Sequence, residues 1–347
     1  MKWVRGSMLG KGSYGIVSLA IPLFNSQFQF PPLIAVKSTL LSQSSSLQKE
    51  RLILSELQDC SQILHCFGDD TTTENDQMVY NLFLEYISGG TLADRISSSS
   101  TGRLPESDVR CYAKSILKGL DYMHKKGYVH CDIKPSNILV SSASDVKIAD
   151  FGMAKKANEK IKDRKFCLFG TPLYMAPESV TRNQYESPVD VWSLGCVVAE
   201  MFSGKPVWTC TENTNMNSIL FRIGSGKEWP EIPQELSNDG KDFLGKCFIR
   251  DPSYRWTAEM LLNHPFIVEE SMEGGGVGVA VNTASSLCSA LETFTGFEGE
   301  SDQSTGSYSM VANQIHELAA GLALDSSSSY DDKSDVRGAV ISICQGR

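Results

Sequence analysis

The sequence lacks the features that mark secreted, membrane-spanning and nucleic-acid-binding proteins. Its ten cysteines are scattered without a CxxC pair, which is typical of reduced thiols rather than a disulfide framework. No run of about 18 apolar residues occurs, and the opening MKWVRGSMLG has no apolar core of signal-peptide length. The net charge of −9 provides no basic surface for nucleic acid. We therefore expect a protein of the cytoplasm or the nucleus that binds neither membranes nor nucleic acid.

Large apolar residues are also scarce after residue 270. Residues 271–347 contain ten acidic and three basic residues, a net charge of −7, together with the runs GGGVGV and SSSS. Because this composition buries too little apolar surface to offset the entropy of ordering, we predict an acidic, mostly disordered tail that binds regulatory proteins. One stretch, MVANQIHELAAGLAL, spaces its apolar residues as a helix does, which fits either a partner-bound helix or a chance pattern.

A glycine pattern opens the first 270 residues. LGKGSYGIVSLAI contains Gly10, Gly12 and Gly15 as GxGxxG, and the β-branched run that follows predicts a strand. A dinucleotide fingerprint needs a helix at that point, whereas a glycine turn between two strands folds over ATP phosphates with its backbone N–H groups. The alternative is a plain hairpin turn.

A lysine within the apolar strand LIAVKSTL indicates a buried partner. Burying Lys37 is costly unless an opposite charge or a phosphate meets it. The next segment, SSSLQKERLILSELQDC, predicts a helix with Glu50 beside its apolar face. We predict that Glu50, rather than Glu56 near the helix end, turns toward Lys37.

The segment YNLFLEYISGG predicts a buried strand that runs into a glycine-rich connection. We expect adenine to hydrogen-bond to backbone groups near Glu85 and Ile87, with Leu84 at the back of the pocket. Further on, LPESDVRCYAKSILKGLDYMHKKGY predicts a helix with Pro105 in its first turn and Gly127 at its end.

Polar residues cluster after that helix, in HCDIKPSN and in VKIADFGMA, which predicts a strand ending at Asp150. Phosphoryl transfer needs in-line placement of a hydroxyl and neutralisation of charge on the transferred group. Asp132 is suited to accept the proton of that hydroxyl, and Lys134 to reach the phosphoryl group. Asn137 and Asp150 offer the oxygen ligands that Mg²⁺ prefers.

Together these motifs resemble the protein kinase family over residues 3–267. The matching segments, in the order the family has them, are GKGSYG, AVK, HCDIKPSN, DFG, GTPLYMAPE and DVWSLGC. The resemblance implies an α+β, bilobal protein kinase fold. It implies an antiparallel β-sheet N-lobe with one helix in residues 3–86 and a mainly helical C-lobe in residues 87–267.

The resemblance also implies roles for single residues. Lys37, paired with Glu50, would hold the α- and β-phosphates, and Asp132 would be the catalytic base beside Lys134. The implied ATP-binding residues are Leu9, Gly10, Lys11, Gly12, Ser13, Tyr14, Gly15, Ile16, Val17, Ala35, Lys37, Leu84, Glu85, Ile87 and Leu139. Asn137 and Asp150 would bind the metal. In the substrate segment, which includes Thr171, the implied ion pair is Glu178 with Arg255, and Asp190 would begin the central helix.

Lys134 together with Thr171 resembles the serine/threonine class. The chain is most similar to the plant mitogen-activated protein kinase kinase kinases of the compact type, which implies phosphorylation of MAP kinase kinases, with ATP and Mg²⁺, in stress or hormone signalling. One alternative is a pseudokinase scaffold, which would be expected to lose Lys37, Asp132 or Asp150. Another is a small-molecule phosphotransferase, which would not be expected to carry GTPLYMAPE.

Cys131 stands where the family usually has an arginine. That arginine grips a phosphate on the activation segment, and cysteine has neither the charge nor the bidentate fork for it. The 17 residues 153–169, called here the activation segment, contain no serine, threonine or tyrosine. We predict that activity requires no phosphate upstream of Thr171; the alternative is a phosphate switch at Thr171. Cys131 and Cys167 are predicted to be buried, inert thiols rather than redox sensors.

The activation segment has six basic and two acidic residues, a net charge of +4. A solvated loop explains this charge. A further hypothesis is that the tail of −7 screens the segment and restrains activity until a partner displaces it. The insertion at residues 21–32 is long for a turn between strands, and the sequence assigns it no function.

Overall fold

The computed structural model describes residues 2–12, 14–23, 30–158, 168–208 and 215–268. The predicted disordered tail, half of the insertion (residues 24–29), Ser13 and Cys167 lie outside the described residues, so the predictions that concern them stay predictions. The predicted α+β class is confirmed, with an antiparallel sheet and one helix in the first part and mostly helices in the second. None of the helices in the described ranges is long and apolar enough to cross a membrane.

The first part is a five-stranded antiparallel sheet with one helix. Its elements are β1 (Trp3–Gly12), β2 (Gly15–Pro22), β3 (Ile34–Leu40), α1 (Ser45–Glu56), β4 (Cys66–Glu74) and β5 (Gln77–Glu85). The strand order is β1-β2-β3-β5-β4, which puts β3 in the centre, between β2 and β5. Lys37 on β3 pairs in register with Val17 and Leu82, so the middle of the sheet fixes its position.

The hairpin between β1 and β2 depends on glycine. Gly15 has φ +143°, a conformation that L-residues with a side chain rarely adopt. A Cβ at this position would lie 2.3 Å from the carbonyl oxygen of Ser38. The turn therefore lies against β3 only because residue 15 has no side chain.

The second part contains short β-ladders and seven helices among the described residues. Its elements are α2 (Leu92–Ser97), α3 (Glu106–Lys125), β6 (Tyr128–Val129), β7 (Ile138–Val140), β8 (Val146–Ile148), β9 (Lys155–Lys156), α4 (Pro177–Arg182), α5 (Pro188–Ser203), α6 (Met216–Ser225), α7 (Asn238–Cys247) and α8 (Ala258–Leu262). β6 pairs with β9, and β7 pairs with β8. Helix α5 is buried on nearly all sides, including Trp192 and Asp190, because the other helices pack around it.

The two parts share one core. The main cluster of buried apolar side chains runs from Ala35 on β3 to Ile267 at the end of the helical part. The turn after α1 is also bonded to β8: Leu64 N–H donates to Ile148 O at 3.0 Å, and Ile148 N–H donates to Gln62 O at 2.8 Å. These bonds place the end of β8 beside α1.

One predicted boundary is wrong. The strand expected to end at Asp150 ends at Ile148. Asp150 has φ 62° in the left-handed region, so the chain leaves the extended conformation before it and enters a short 3₁₀ helix at Phe151. Helix α3 is found where it was predicted and ends before Gly127, but Pro105 precedes the first turn as the N-cap residue instead of lying within it.

Candidate active site

Lys37 lies at the centre of an ion-pair network between the two parts of the fold. Its Nζ is 2.7 Å from Glu50 Oε2 and 2.8 Å from Asp150 Oδ1. Glu50, rather than Glu56, is thus the helix partner, as predicted, while Glu56 approaches Lys156. The second oxygen of Glu50 accepts a hydrogen bond from Phe151 N–H at 3.1 Å, which ties α1 to the segment after β8.

The charges of this network stabilise one another. Burial by itself lowers the pKa of Lys37, but the carboxylates of Glu50 and Asp150 outweigh it and raise that pKa above its usual value. Burial raises the pKa of Glu50. Burial acts in the same direction on Asp150, but Lys37 overcomes it and holds the pKa of Asp150 below its ordinary range. Lys37 therefore remains a cation and Asp150 an anion near neutral pH.

Two segments hold the carboxylate of Asp132: the catalytic loop, residues 130–137, which contains Asp132, and the substrate segment at Thr171. Its Oδ1 accepts hydrogen bonds from Thr171 N–H at 2.9 Å and from Thr171 Oγ1 at 2.8 Å. Its Oδ2 accepts from Asn137 Nδ2 and lies 3.0 Å from Lys134 Nζ. Lys134 Nζ also donates to Thr171 Oγ1 at 2.9 Å. The structure therefore brings the predicted base, its lysine and the substrate-segment threonine together.

Asp190 of α5 supports the catalytic loop through hydrogen bonds that the sequence motifs did not indicate. Its carboxylate is fully buried and accepts the backbone N–H groups of His130 and Cys131, both at 2.9 Å. His124 Nε2 lies 2.9 Å from the same carboxylate. Cys131 has φ 68°, so these bonds hold a strained backbone in place. The available signal was an aspartate within the apolar run of α5, which needs buried partners.

His130 connects the catalytic loop to the segment after β8. Its ring packs edge-to-face on Phe151, with centroids 4.9 Å apart, and its Nε2 lies 3.1 Å from Ala149 O. Both His130 and Phe151 are fully buried. Asp132 and Asp150, which flank these contacts in sequence, are thereby held at one site.

The donor set at this site fits Mg²⁺. Asn137 Nδ2 donates both to Asp132 O and to Asp132 Oδ2, and within the described residues nothing bonds the side-chain oxygen of Asn137. Asp150 uses Oδ1 for Lys37, and its side chain is 33% exposed. No cluster of three or more His, Cys, Asp or Glu residues in the described ranges would hold a metal alone. One carboxylate and one amide, completed by phosphate oxygens, is the arrangement in which proteins bind Mg²⁺.

The predicted nucleotide-binding residues that the structure describes lie on strands of the sheet, in the turn between β1 and β2, just after β5 and on β7, and their contact with nucleotide stays a prediction. Ala35 and Leu84 are buried, and the partly buried side chains that pack against the core include Tyr14, Val17, Ile87 and Leu139. Glu85 ends β5, and Ile87 follows where the chain leaves the sheet. The predicted residues on the glycine hairpin that the structure describes are Leu9, Gly10, Lys11, Gly12, Tyr14, Gly15, Ile16 and Val17.

Within that hairpin, Leu9 and Ile16 are 45% and 42% exposed. Lys37 Nζ lies 5.8 Å from the centre of the Tyr14 ring. Burial and the nearby carboxylates of Asp150 and Asp132 raise the pKa of Tyr14 to about 12. Tyr14 is therefore a neutral hydroxyl above the acidic part of the site.

Glu178 and Arg255 form a buried bidentate ion pair, as the resemblance implies. Arg255 Nη1 lies 2.6 Å from Glu178 Oε1, and Nη2 lies 2.9 Å from Oε2. The side chains are 0% and 2% exposed. The pair fixes the start of α4, and thereby the substrate segment before it, to the helical part.

Cys131 is buried, and its environment disfavours the thiolate form. Its side chain donates weakly to Val129 O at 3.7 Å, and the residue is 8% exposed. Burial, with the nearby Asp190 carboxylate, raises the pKa of the thiol well above its ordinary value. The predicted burial of Cys131 is confirmed, and its inertness stays a prediction.

Comparison with known proteins agrees with this geometry. Residues 3–267 match the family model described as "Protein kinase domain". The chain is 50% identical over 269 residues to mitogen-activated protein kinase kinase kinase 20 of Arabidopsis thaliana, covering 77% of this chain and 78% of that protein. It is 40% identical over 269 residues to kinase kinase kinase 17 of the same plant, covering 77% and 70%. With number 18 the identity is 39% over 279 residues, covering 79% of each chain.

Proposed function

The chain belongs to the protein kinase family and is a serine/threonine protein kinase, and from this premise we propose that it transfers the γ-phosphoryl group of ATP to MAP kinase kinases. The observation that carries the catalytic part is the assembled network of Lys37, Glu50 and Asp150 beside Asp132 and Asn137. The substrate class is supported by the names of the similar Arabidopsis kinases.

Each residue of the site has a defined task in this proposal. Lys37, oriented by Glu50, holds the phosphates, while Asn137 and Asp150 would hold Mg²⁺, which when bound neutralises charge on the phosphates. Asp132 accepts the proton of the substrate hydroxyl. Its Oδ1 already accepts a hydrogen bond from the hydroxyl of Thr171, so the carboxylate is placed to accept from a serine or threonine hydroxyl.

The experiment that tests the substrate class offers a panel of purified, catalytically inactive MAP kinase kinases with ATP and Mg²⁺, and maps the phosphorylated residues by mass spectrometry. A generic basic protein serves as the comparison substrate. We expect phosphate on serine or threonine of at least one MAP kinase kinase, at a higher kcat/KM than on the generic protein. Asp132→Asn should transfer phosphate about 10²–10⁴-fold more slowly. Equal or lower kcat/KM on every MAP kinase kinase would reject the substrate class. Phosphate transfer that persists unchanged in Asp132→Asn would reject the assigned base.

The pseudokinase alternative makes a different prediction in the same assay. A scaffold would bind MAP kinase kinases without phosphorylating any substrate. The presence of all three residues, with Lys37 bonded to Asp150 and Asp132 bonded to Thr171, supports the enzyme instead. Retained binding with no transfer to any protein would favour the scaffold.

We extend the proposal to the cellular setting. We propose that the kinase acts in the cytoplasm or the nucleus, in stress or hormone signalling, and that the acidic tail binds regulatory proteins. Imaging of a fluorescent fusion tests the first part, and fluorescence confined to plastids, mitochondria or the secretory pathway would reject it. Kinase activity recovered from tissue before and after stress or hormone treatment tests the second. Affinity capture with the full chain and with residues 1–270 tests the third.

A further inference from the structure

The two described ends of the activation segment are held by adjacent residues, Tyr185 and Glu186. At the first end, Asn158 N–H donates to both carboxylate oxygens of Glu186, at 3.1 Å each. At the second end, Phe169 N–H donates to the hydroxyl oxygen of Tyr185 at 2.7 Å. The rings of Phe169 and Tyr185 also meet edge-to-face, with centroids 5.4 Å apart. We call Tyr185 and Glu186 the anchor pair.

The second anchor leads directly to the catalytic aspartate. Phe169 is followed by Gly170, whose φ is +107° and whose Cβ, if present, would lie 2.6 Å from Cys131 O. Thr171 comes next and donates two hydrogen bonds to Asp132. The Tyr185 hydroxyl thus fixes the residue from which the chain enters its contacts with Cys131 and Asp132.

Within the anchor pair, Tyr185 is buried, whereas Glu186 is partly exposed. Tyr185 is 2% exposed and lines one small cavity together with Cys131, Thr171 and Val189. The anchor pair ends just before α5, which begins at Pro188. Asp190, in the first turn of that helix, binds the backbone of the catalytic loop. The activation segment and the catalytic loop are therefore both anchored at the start of one buried helix.

The chemistry of the anchors explains how the site can be ordered without a phosphate. In a kinase with an arginine before the catalytic aspartate, a phosphate on the activation segment supplies the anion that orders the segment. Here the segment offers no hydroxyl for phosphorylation and Cys131 offers no cation. Glu186 supplies a carboxylate from the other side, and both of its oxygens accept the backbone N–H of Asn158.

We propose that Tyr185 and Glu186 are positioning residues that hold Asn158 and Phe169, at the two described ends of the activation segment, in the arrangement that binds substrate, without phosphorylation. The proposal rests on the proposed function, because it assumes a protein-kinase reaction. It concerns the serine/threonine kinase reaction itself rather than the identity of the substrate.

The test uses the full chain, treated with a protein phosphatase that is then removed, as wild type, Tyr185→Phe, Glu186→Gln and Glu186→Asp. Tyr254→Phe is the matched control, because Tyr254 is 75% exposed and lies outside the site. Each protein is assayed on an inactive MAP kinase kinase and on a generic basic protein, with KM determined separately for ATP and for the protein substrate. Mass spectrometry confirms that Thr171 carries no phosphate.

We expect the dephosphorylated wild type to be active. Tyr185→Phe should lower kcat/KM for the protein substrate by about five- to tenfold, the effect of one lost hydrogen bond, with the KM for ATP unchanged. Glu186→Gln should lower kcat/KM for the protein substrate by about tenfold or more, because a charged acceptor is lost. Glu186→Asp keeps the charge and should be more active than Glu186→Gln. Hydrogen exchange at the Phe169 amide should be faster in Tyr185→Phe. Tyr254→Phe should behave as wild type.

Several outcomes would overturn the proposal. One is an inactive dephosphorylated wild type. Another is wild-type kinetics in both Tyr185→Phe and Glu186→Gln. A third is a loss of activity that follows a lowered Tm and raises the KM for ATP to the same extent as the KM for the protein substrate. A wild type that phosphorylates the generic protein but no MAP kinase kinase would reject the proposed substrate class. The anchor variants would then still be decided on the generic substrate.

Discussion

Replacing Glu178 with alanine is expected to lower the free energy of unfolding by about 3–5 kcal/mol, the usual cost of leaving a buried charge without its partner. Arg255 has five N–H donors, and Glu178 takes two of them, at 2.6 and 2.9 Å. The other three go to the carbonyl oxygens of Ile249, Pro188 and Arg250. Those carbonyls remain in the variant, but none compensates the positive charge.

The magnitude follows from burial. The two side chains are 0% and 2% exposed, so little water can replace the carboxylate. Against a typical total stability of about 5–15 kcal/mol, the loss is large. Since the dependence of stability on urea is about 2–3 kcal/mol per molar for a domain of this size, the unfolding midpoint should fall by about 1–2 M.

Urea unfolding of the purified variants measures this shift. Glu178→Gln keeps the volume of the side chain and removes only the charge, so its midpoint should fall nearly as far as that of Glu178→Ala. Glu259→Ala is the control, because Glu259 and Lys125 form an exposed pair, with side chains 65% and 57% exposed, and its loss should change nothing measurable. A Glu178→Ala midpoint equal to that of Glu259→Ala would show that the buried pair contributes no more than an exposed one.

Three further predictions follow from the catalytic loop. The hydroxyl of Thr171 donates a hydrogen bond to Asp132 and accepts one from Lys134. Thr171→Ser should therefore retain activity, Thr171→Ala should lower kcat by about tenfold, and Thr171→Glu should be inactive because Asp132 repels the new carboxylate. A Thr171→Glu variant that is more active than wild type in a kinase assay would instead support a phosphate switch. The raised pKa keeps the Cys131 thiol protonated above the pH at which an ordinary thiol ionises. Iodoacetamide at about pH 8 should therefore modify the partly exposed Cys111 in the folded protein and spare Cys131. Equal alkylation of the two cysteines, measured by mass spectrometry, would contradict the assignment of Cys131 as an inert thiol. Asp190→Asn removes one of the two oxygens that accept the N–H groups of His130 and Cys131. The free energy of unfolding, measured by urea titration, should fall by about 2–3 kcal/mol. A wild-type unfolding midpoint would contradict the role of Asp190 in supporting the catalytic loop.

The sequence is most informative where chemistry restricts residue type. A lysine in an apolar strand requires an anion, and the position of Glu50 beside the apolar face of its helix is enough to identify the partner. The glycine hairpin is recognisable because a strand, not a helix, follows it. The central helix with its buried aspartate is implied by the resemblance alone.

Other features depend on contacts between distant residues or on backbone conformations that side-chain patterns do not report. Asp150 bonds Lys37 across 113 positions of the chain, and no local pattern indicates that pairing. The left-handed conformations of Cys131 and Asp150 are uncommon for residues with side chains, so no sequence pattern indicates them. The one at Asp150 is why the predicted strand is two residues too long. The anchors at Tyr185 and Glu186 bind backbone N–H groups, which every non-proline residue carries, so no sequence pattern indicates them.

The most direct test of the assigned catalytic site compares wild type with Asp132→Asn for two quantities, the Kd of ATP with Mg²⁺ and the rate of phosphoryl transfer to a protein substrate. We expect similar Kd values, because Lys37, Glu50 and Asp150 remain in place, and a transfer rate lower by about 10²–10⁴-fold in the variant. Wild type that binds no ATP, or a variant that transfers phosphate at the wild-type rate, would show that these residues do not form the site of phosphoryl transfer.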